Sequence, residues 1–220
     1  MSTDSLPRGV IFDMDGVLVD SEPFICKAAM MMFAERGLQV KAEDFLPFVG
    51  AGENRYVGGV AEKYGFKAEI NDIKRRTYEI YLEIIKGQLE PLPGVHSFIE
   101  TCRKAGKKLA LATSADNIKA EGNLREIKLP ITTFDAAVTG LDVVNKKPHP
   151  EIFLTAARKL GLDPRDCLVV EDAVNGVQAA KAAGARCLAL TTSFTREQLA
   201  AADWFAPDLT APPLQCIQWA

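Results

Sequence analysis

Two aspartates directly follow a short apolar run near the start of the chain. The run is Gly9-Val10-Ile11-Phe12, and it leads into Asp13-Met14-Asp15-Gly16. A run of this kind is typical of a buried strand, and side chains two residues apart on an extended segment point the same way. We therefore expect Asp13 and Asp15 to share one site. Two like charges held that close repel each other, which raises the pKa of one carboxyl unless a cation joins them, and either arrangement suits catalysis.

Polar side chains also follow the later apolar runs of the chain. The carboxyl ends of parallel strands meet at one edge of a sheet, where ligands bind. Each polar residue alone has a structural explanation, as a turn former, a helix cap or a solvated charge. Their joint occurrence at strand ends favours a catalytic site. The residues expected at this edge, besides the two aspartates, are Thr113, Ser114, Lys147, Glu171 and Asp172.

This set of side chains suits the transfer of a phosphoryl group. Asp13 can attack phosphorus and form an aspartyl phosphate. Asp15 can protonate the leaving oxygen and then accept a proton from water. Thr113 and Lys147 would hold the phosphate oxygens, where charge accumulates in the transition state.

A dianionic phosphate cannot approach several carboxylates without a cation, so we expect a metal ion at this site. Hard oxygen ligands favour Mg²⁺, which binds through few carboxylates while keeping water and phosphate oxygens. The expected ligands are Asp13, Asp172, the backbone carbonyl of Asp15, and Glu171 either directly or through water.

The elements that must position these residues alternate between strands and helices. Glycines at 106, 161 and 184 follow three of the helical patterns, where a left-handed C-terminal cap is expected. The alternation predicts an α/β fold with a parallel sheet covered on both faces. Strands are expected over 10–12, 108–112, 136–139, 167–170 and 186–190, with helices over 94–105, 149–160 and 174–183.

A long helical segment interrupts this alternation after the first strand. Roughly ninety residues lie between Gly16 and the second strand, whereas a crossover needs about a dozen. Helices are expected over 22–36, 53–64 and 70–85, the first with a buried face formed by Phe24, Ala28, Met31 and Met32. We therefore predict a core domain from residues 1–20 and 89–220 and an inserted all-helical domain over 21–88.

Composition limits the classes of partner and compartment. The chain has 220 residues, 48% hydrophobic and 25% charged, and a formal net charge of -3, which predicts a globular protein that binds no nucleic acid. No apolar run reaches the length of about 18 residues that a membrane span requires. The N-terminus does not resemble a signal peptide. Five unpaired-looking cysteines favour free thiols in a reducing compartment. We expect a cytoplasmic monomer or weak dimer that acts on a small phosphorylated molecule.

The motifs occur in the order found in the haloacid dehalogenase superfamily of phosphotransferases, which the chain resembles over nearly all of its length. The resemblance implies a Rossmann-like, three-layer α/β core and an inserted helical cap that closes over the site. It also implies Asp13 as nucleophile and Asp15 as general acid/base, in agreement with the residues themselves. The four motifs are Asp13–Glu22, Thr113, Lys147–Phe153 and Glu171–Gly176.

Within this superfamily the chain is similar to small sugar-phosphate phosphatases and β-phosphoglucomutases. Asp15 argues against a haloacid dehalogenase proper, which needs neither that acid nor a metal. Such mutases typically carry a His where this chain has Ile25, which favours a phosphatase over a phosphosugar mutase. A non-catalytic sensor of a phosphorylated ligand is the third reading.

The family places its specificity loop at residues 48–56 of this sequence. The glycines of this segment permit a tight, mobile backbone. Arg55 can grip a second anionic or hydroxylated part of the substrate. The expected substrate-binding residues are Glu53, Asn54 and Arg55 in this loop, together with Ser114.

Overall fold

Six strands form one parallel sheet in the computed structural model, which describes residues 7–49 and 52–217. The strands are β1 (Gly9–Phe12), β2 (Lys108–Ala112), β3 (Ala136–Val138), β4 (Cys167–Glu171), β5 (Arg186–Leu190) and β6 (Trp204–Ala206). Their order in the sheet is β3-β2-β1-β4-β5-β6. The residues of β1 and β4 are all buried, as expected for central strands covered on both faces.

Helices cover both faces of the sheet. The helices are α1 (Glu22–Glu35), α2 (Glu53–Lys63), α3 (Ile70–Ile84), α4 (Val95–Lys104), α5 (Asn117–Glu126), α6 (Glu151–Leu160), α7 (Val174–Ala182) and α8 (Leu214–Ile217). Val10 and Phe12 point into one apolar cluster with α4 and α5, whereas Ile11 points into a second cluster with α6 and α7. This alternation gives the three layers of the core.

The α/β fold with a parallel sheet is confirmed, and the five predicted strands agree with the observed ones to within one residue at each end. The three glycines expected to follow helices have positive φ angles of 69°, 67° and 82°, at Gly106, Gly161 and Gly184. Three of these strands and helices were not predicted. They are β6, a short edge strand, α5, a helix with many polar residues, and the short helix α8.

The predicted buried face of α1 was wrong in part. Met31 is 41% exposed and Phe24 is only partly buried, although Ala28 and Met32 are buried as expected. The face is rotated by about one residue because α1 packs against α3 along a different stripe. That stripe consists of Ile25, Ala28, Ala29, Met32 and Phe33.

Helices α1 to α3 lie between β1 and β2 in the chain and pack against the core through α5. The Tyr81 hydroxyl donates to the side-chain carbonyl of Asn123, and Lys74 pairs with Asp116 at 2.9 Å. At the return to the sheet, the Leu92 amide donates to the Leu18 carbonyl at 2.9 Å. The two ends of the helical segment are thereby joined.

The five cysteines are free thiols, and four of them are buried. Within residues 7–49 and 52–217, no helix is both long and apolar enough to cross a membrane.

Candidate active site

A tight turn after β1 carries the two aspartates. The Leu18 amide donates to the Met14 carbonyl at 2.8 Å, and the Gly16 amide donates to the Val19 carbonyl at 2.7 Å. Gly16 has a φ of 74°, a conformation that glycine adopts at little cost. A methyl group there would also overlap a carboxylate oxygen of Asp172. The turn therefore depends on glycine to bring the end of β1 against the loop after β4.

Three buried carboxylates meet between β1 and the loop after β4. Asp13, Glu171 and Asp172 each offer one oxygen, and these oxygens lie within 4.8 Å of one another. Burial raises the pKa of Asp13 to about 7 and that of Asp172 to about 8, and the charge of Glu171 adds to both effects. Glu171 is fixed by the amides of Asp172 and Ala173, which donate to its Oε2 at 2.9 and 3.0 Å. A cluster of this kind favours a bound cation.

Lys147 supplies one positive charge to this cluster. Its Nζ donates to Asp13 Oδ1 at 2.6 Å and to Glu171 Oε1 at 2.7 Å. Burial opposes the charge of this ammonium, but the two carboxylates outweigh that effect and raise the pKa of Lys147. The lysine is therefore a fixed cation beside Asp13.

Asp15 has a separate set of partners. The Ser21 hydroxyl donates to its Oδ1, and the Nζ of Lys119 donates to its Oδ2 at 2.9 Å. Lys119 is buried and also lies 3.6 Å from Glu22 Oε1 and 4.0 Å from Glu53 Oε1. Burial opposes its charge, but the carboxylates of Asp15, Glu22 and Glu53 raise the pKa of Lys119 well above its usual value. The two aspartates of the turn are thus held by two different lysines.

Thr113 follows β2 and is buried at the same edge of the sheet. Its amide donates to the Val138 carbonyl at 3.0 Å, and its Oγ1 accepts from the Ala115 amide at 3.1 Å. A cleft of about 450 Å³ opens above this edge. The predicted residues that line it are Asp13, Asp15, Thr113, Ser114, Lys147, Glu171 and Asp172.

The predicted residues on α2 differ in where their side chains lie. Glu53 lies inside, near Lys119, whereas Asn54 and Arg55 are exposed. The Arg55 guanidinium pairs with Glu62 at 2.7 Å and lies 5.0 Å from the centre of the Phe48 ring. Gly50 and Ala51 of the predicted specificity loop lie outside the described residues.

Sequence reasoning missed Lys119 and Ser21. Lys119 belongs to a helix that was not predicted, where it and Asn123 are buried four residues apart beside Ala120 and Leu124. No local signal in the sequence identifies it, because lysine and asparagine on a helix are usually exposed.

A family model described as haloacid dehalogenase-like hydrolase matches residues 10–190 of the chain. Among curated relatives, Protein SUPPRESSOR OF QUENCHING 1, chloroplastic, from Arabidopsis thaliana is 44% identical over 191 residues. That match covers 84% of this chain but only 18% of the much longer plant protein.

Two further comparisons cover most of this chain and most of the matched protein. The phosphorylated carbohydrates phosphatase of Thermotoga maritima is 35% identical over 177 residues, covering 80% of this chain and 82% of that protein. A crystal structure of mutant CbbY from Rhodobacter sphaeroides in complex with xylulose 1,5-bisphosphate superposes with a TM-score of 0.82 and 26% identity. It covers 93% of this chain and 95% of that one.

Proposed function

The chain belongs to the haloacid dehalogenase-like hydrolases, and from this premise we propose that it is a Mg²⁺-dependent phosphatase. Its substrate would be a small phosphate monoester such as a sugar phosphate, which is the class named for the Thermotoga maritima relative. The observation that carries the proposal is the turn after β1. There Asp13 faces Lys147 and two further carboxylates, while Asp15 is held apart by Ser21 and Lys119.

The proposed reaction has two steps at phosphorus. First, a carboxylate oxygen of Asp13 bonds to phosphorus, the ester P–O bond breaks, and Asp15 gives its proton to the departing alcohol oxygen. Next, Asp15 accepts a proton from water as that water attacks the aspartyl phosphate. Inorganic phosphate leaves and the Asp13 carboxylate is restored. The separate partners orient the two carboxylates independently, so that neither competes for the other's cation.

Lys147 and Thr113 supply the charge and hydrogen bonds that the phosphoryl group needs. The lysine ammonium already lies 2.6 Å from Asp13 Oδ1, so its charge is in place where negative charge develops. Because both groups are fixed before the substrate arrives, little reorganisation is required in the transition state.

The carboxylate cluster fits a magnesium ion. Three buried acids face one ammonium, and their hard oxygen atoms are the ligands that Mg²⁺ prefers. We propose that Asp13, Asp172 and Glu171 hold the ion, together with the backbone carbonyl of Asp15. When bound, Mg²⁺ would neutralise part of the charge of the incoming phosphate and of the attacking carboxylate.

We also propose that residues 21–88 form a cap over a core made of residues 1–20 and 89–220. Glu22 and Glu53 belong to this helical segment and face Lys119 of the core, and Val49 lines the cleft. A cover at this position would exclude bulk water from the aspartyl phosphate. The free thiols support a cytoplasmic location, and the protein would act there as a monomer or weak dimer.

Removal of the metal provides a direct test of the magnesium proposal. Chelation with EDTA is expected to abolish phosphate release from p-nitrophenyl phosphate, and added Mg²⁺ is expected to restore it. Mg²⁺ is also expected to raise the thermal unfolding temperature, since a ligand that binds only the folded state stabilises it. The Asp172→Asn variant should lose most of both responses.

The matched control is Asp72→Asn, which removes a half-exposed carboxylate paired with Arg36 and Arg75 on the helical segment. This variant should keep both responses. Metal-independent turnover by the wild-type protein, or an unchanged Mg²⁺ response in Asp172→Asn, would contradict the proposed ligand set.

Gly16→Ala is expected to lower phosphate release by at least about tenfold. The new methyl group would displace the Asp172 carboxylate, and a misplacement of about 1 Å at a catalytic site can cost on the order of 100-fold. Gly37→Ala is the matched control, because Gly37 has a similar φ of 77° but nothing within 4 Å of its new methyl group. Both variants carry the same backbone strain, so equal losses would show that the Asp172 contact has no role.

A further inference from the structure

A small recess continues the catalytic cleft towards the helical segment. It lies between α2 and α5 and shares Asp15, Glu22 and Ser114 with the cleft. Its volume is about 40 Å³, which is room for roughly three water-sized groups. Ile25 and Phe48 form its apolar walls. Because Asp15 lies at the junction of cleft and recess, an alcohol protonated by Asp15 would extend into this space.

The carboxylate of Glu53 lies in the recess with one oxygen unpaired. Its side chain is 11% exposed, and the nearest ammonium, that of Lys119, lies 4.0 Å from Oε1. The other oxygen, Oε2, is buried without a hydrogen-bond partner among the described residues. A buried acceptor of this kind is costly and is normally satisfied by a ligand or water. Because Glu53 lines the recess, a hydroxyl group placed there would lie beside this carboxylate.

The charge of the recess is unfavourable for a second anion. Lys119 is the only basic side chain among the described residues that line it. Its ammonium already faces three carboxylates, at 2.9 Å from Asp15, 3.6 Å from Glu22 and 4.0 Å from Glu53. A carboxylate or phosphate placed here would meet three acids and no uncommitted cation, and such repulsion is strong where water is scarce.

We propose that this recess selects a short, neutral, polyhydroxylated leaving group and rejects one that carries a carboxylate or a second phosphate. Glu53 would be the specificity-determining residue, and Lys119 would position Asp15 and Glu53 together. This inference rests on the proposed phosphatase function, because it assigns the alcohol part of the same substrate.

The same charges disfavour a phosphosugar mutase. A mutase that uses an aspartyl phosphate must hold a second phosphate of the sugar while Asp13 carries the first. The recess offers that phosphate only the shared ammonium of Lys119. Arg55 is exposed, pairs with Glu62 and does not line the recess, so it supplies no positive charge there.

Two pairs of probes test the effect of an added negative charge on the leaving group. Glycerol 3-phosphate and 3-phosphoglycerate differ by one terminal carboxylate, and fructose 6-phosphate and fructose 1,6-bisphosphate differ by one phosphate. We expect kcat/KM for phosphate release to be at least about tenfold higher for the substrate with the neutral leaving group in each pair.

Glu53→Gln should lower kcat/KM for the substrate with the neutral leaving group by about tenfold, since it replaces a charge-assisted hydrogen bond by a neutral one. The variant should also reduce the difference in kcat/KM between the two members of each pair.

Glu83→Gln is the matched control, because it removes an exposed carboxylate paired with Lys86 on the same helical segment. This variant should keep the wild-type ratios. If Glu53→Gln does not fold, Glu22→Gln removes a second carboxylate that faces Lys119 and should narrow the ratios in the same direction.

Equal or faster hydrolysis of the anionic member by the wild-type protein would overturn the inference. Unchanged kcat/KM ratios in Glu53→Gln, or in Glu22→Gln if Glu53→Gln does not fold, would also overturn it. In either case release from p-nitrophenyl phosphate would leave the proposed phosphatase intact. Failure to release phosphate from p-nitrophenyl phosphate and from every member of the two pairs would instead refute the phosphatase, and the inference with it.

Discussion

Asp13→Asn is expected to lower phosphate release by at least about 10⁴-fold, as removal of a catalytic nucleophile does in other enzymes. A carboxamide cannot attack phosphorus to form the acyl phosphate. The variant should stay folded, because Asn has the same shape and Lys147 keeps its contact with Glu171 at 2.7 Å. Burial raises the pKa of Asp13, so the substitution also removes an unfavourable buried charge from the metal-free protein.

Steady-state release from p-nitrophenyl phosphate, with circular dichroism and thermal unfolding on the same samples, measures both parts of this prediction. Asp72→Asn is again the control, because Asp72 is half-exposed and pairs with Arg36 and Arg75. This variant should be folded and active. Substantial turnover by folded Asp13→Asn would remove this residue from the role of nucleophile.

Asp15→Asn is expected to lower release from an alkyl phosphate by about 10²–10⁴-fold, the range typical of general acid/base catalysis. The loss of the acid should matter less for cleavage of p-nitrophenyl phosphate, whose leaving group departs without a proton. The second step still lacks its base with either substrate. The variant should therefore give a rapid burst of p-nitrophenol followed by slow turnover, the kinetic sign of an accumulated covalent intermediate.

Stopped-flow absorbance resolves this burst, and its amplitude should approach one equivalent of enzyme. Ser21 and Lys119 would remain beside the new amide, so the fold around the turn should be retained. Full activity on an alkyl phosphate would leave Asp15 with only a structural role in the turn.

Local patterns were sufficient to predict the strands and their polar ends. β1 and β4 are short, wholly buried runs that end at charged residues, and this contrast can be read directly from the sequence. The structure places Asp13, Lys147 and Asp172, which were expected at one edge of the sheet, around one cleft. β6 could not be found in this way, because only one of its three residues, Ala206, is buried.

The environment of Asp15 could not be predicted, because it depends on contacts between distant parts of the chain. Lys119 lies 104 residues from Asp15 in sequence, on a helix whose polar composition conceals its buried face. The sequence also does not show which side chains of α2 face the recess. Successive residues of a helix are rotated by about 100°, so Glu53 and Arg55 lie on nearly opposite sides and only Glu53 faces the recess.

The most direct test of the account is to look for the phosphorylated aspartate itself. Asp15→Asn would be mixed with p-nitrophenyl phosphate and Mg²⁺, quenched in acid during the burst, and digested for mass spectrometry. We expect one phosphoryl group on the peptide that contains Asp13, and none when Asp13→Asn is added to the same protein. A burst of p-nitrophenol without phosphorylated protein, or a phosphoryl group on any other residue, would contradict the proposed mechanism.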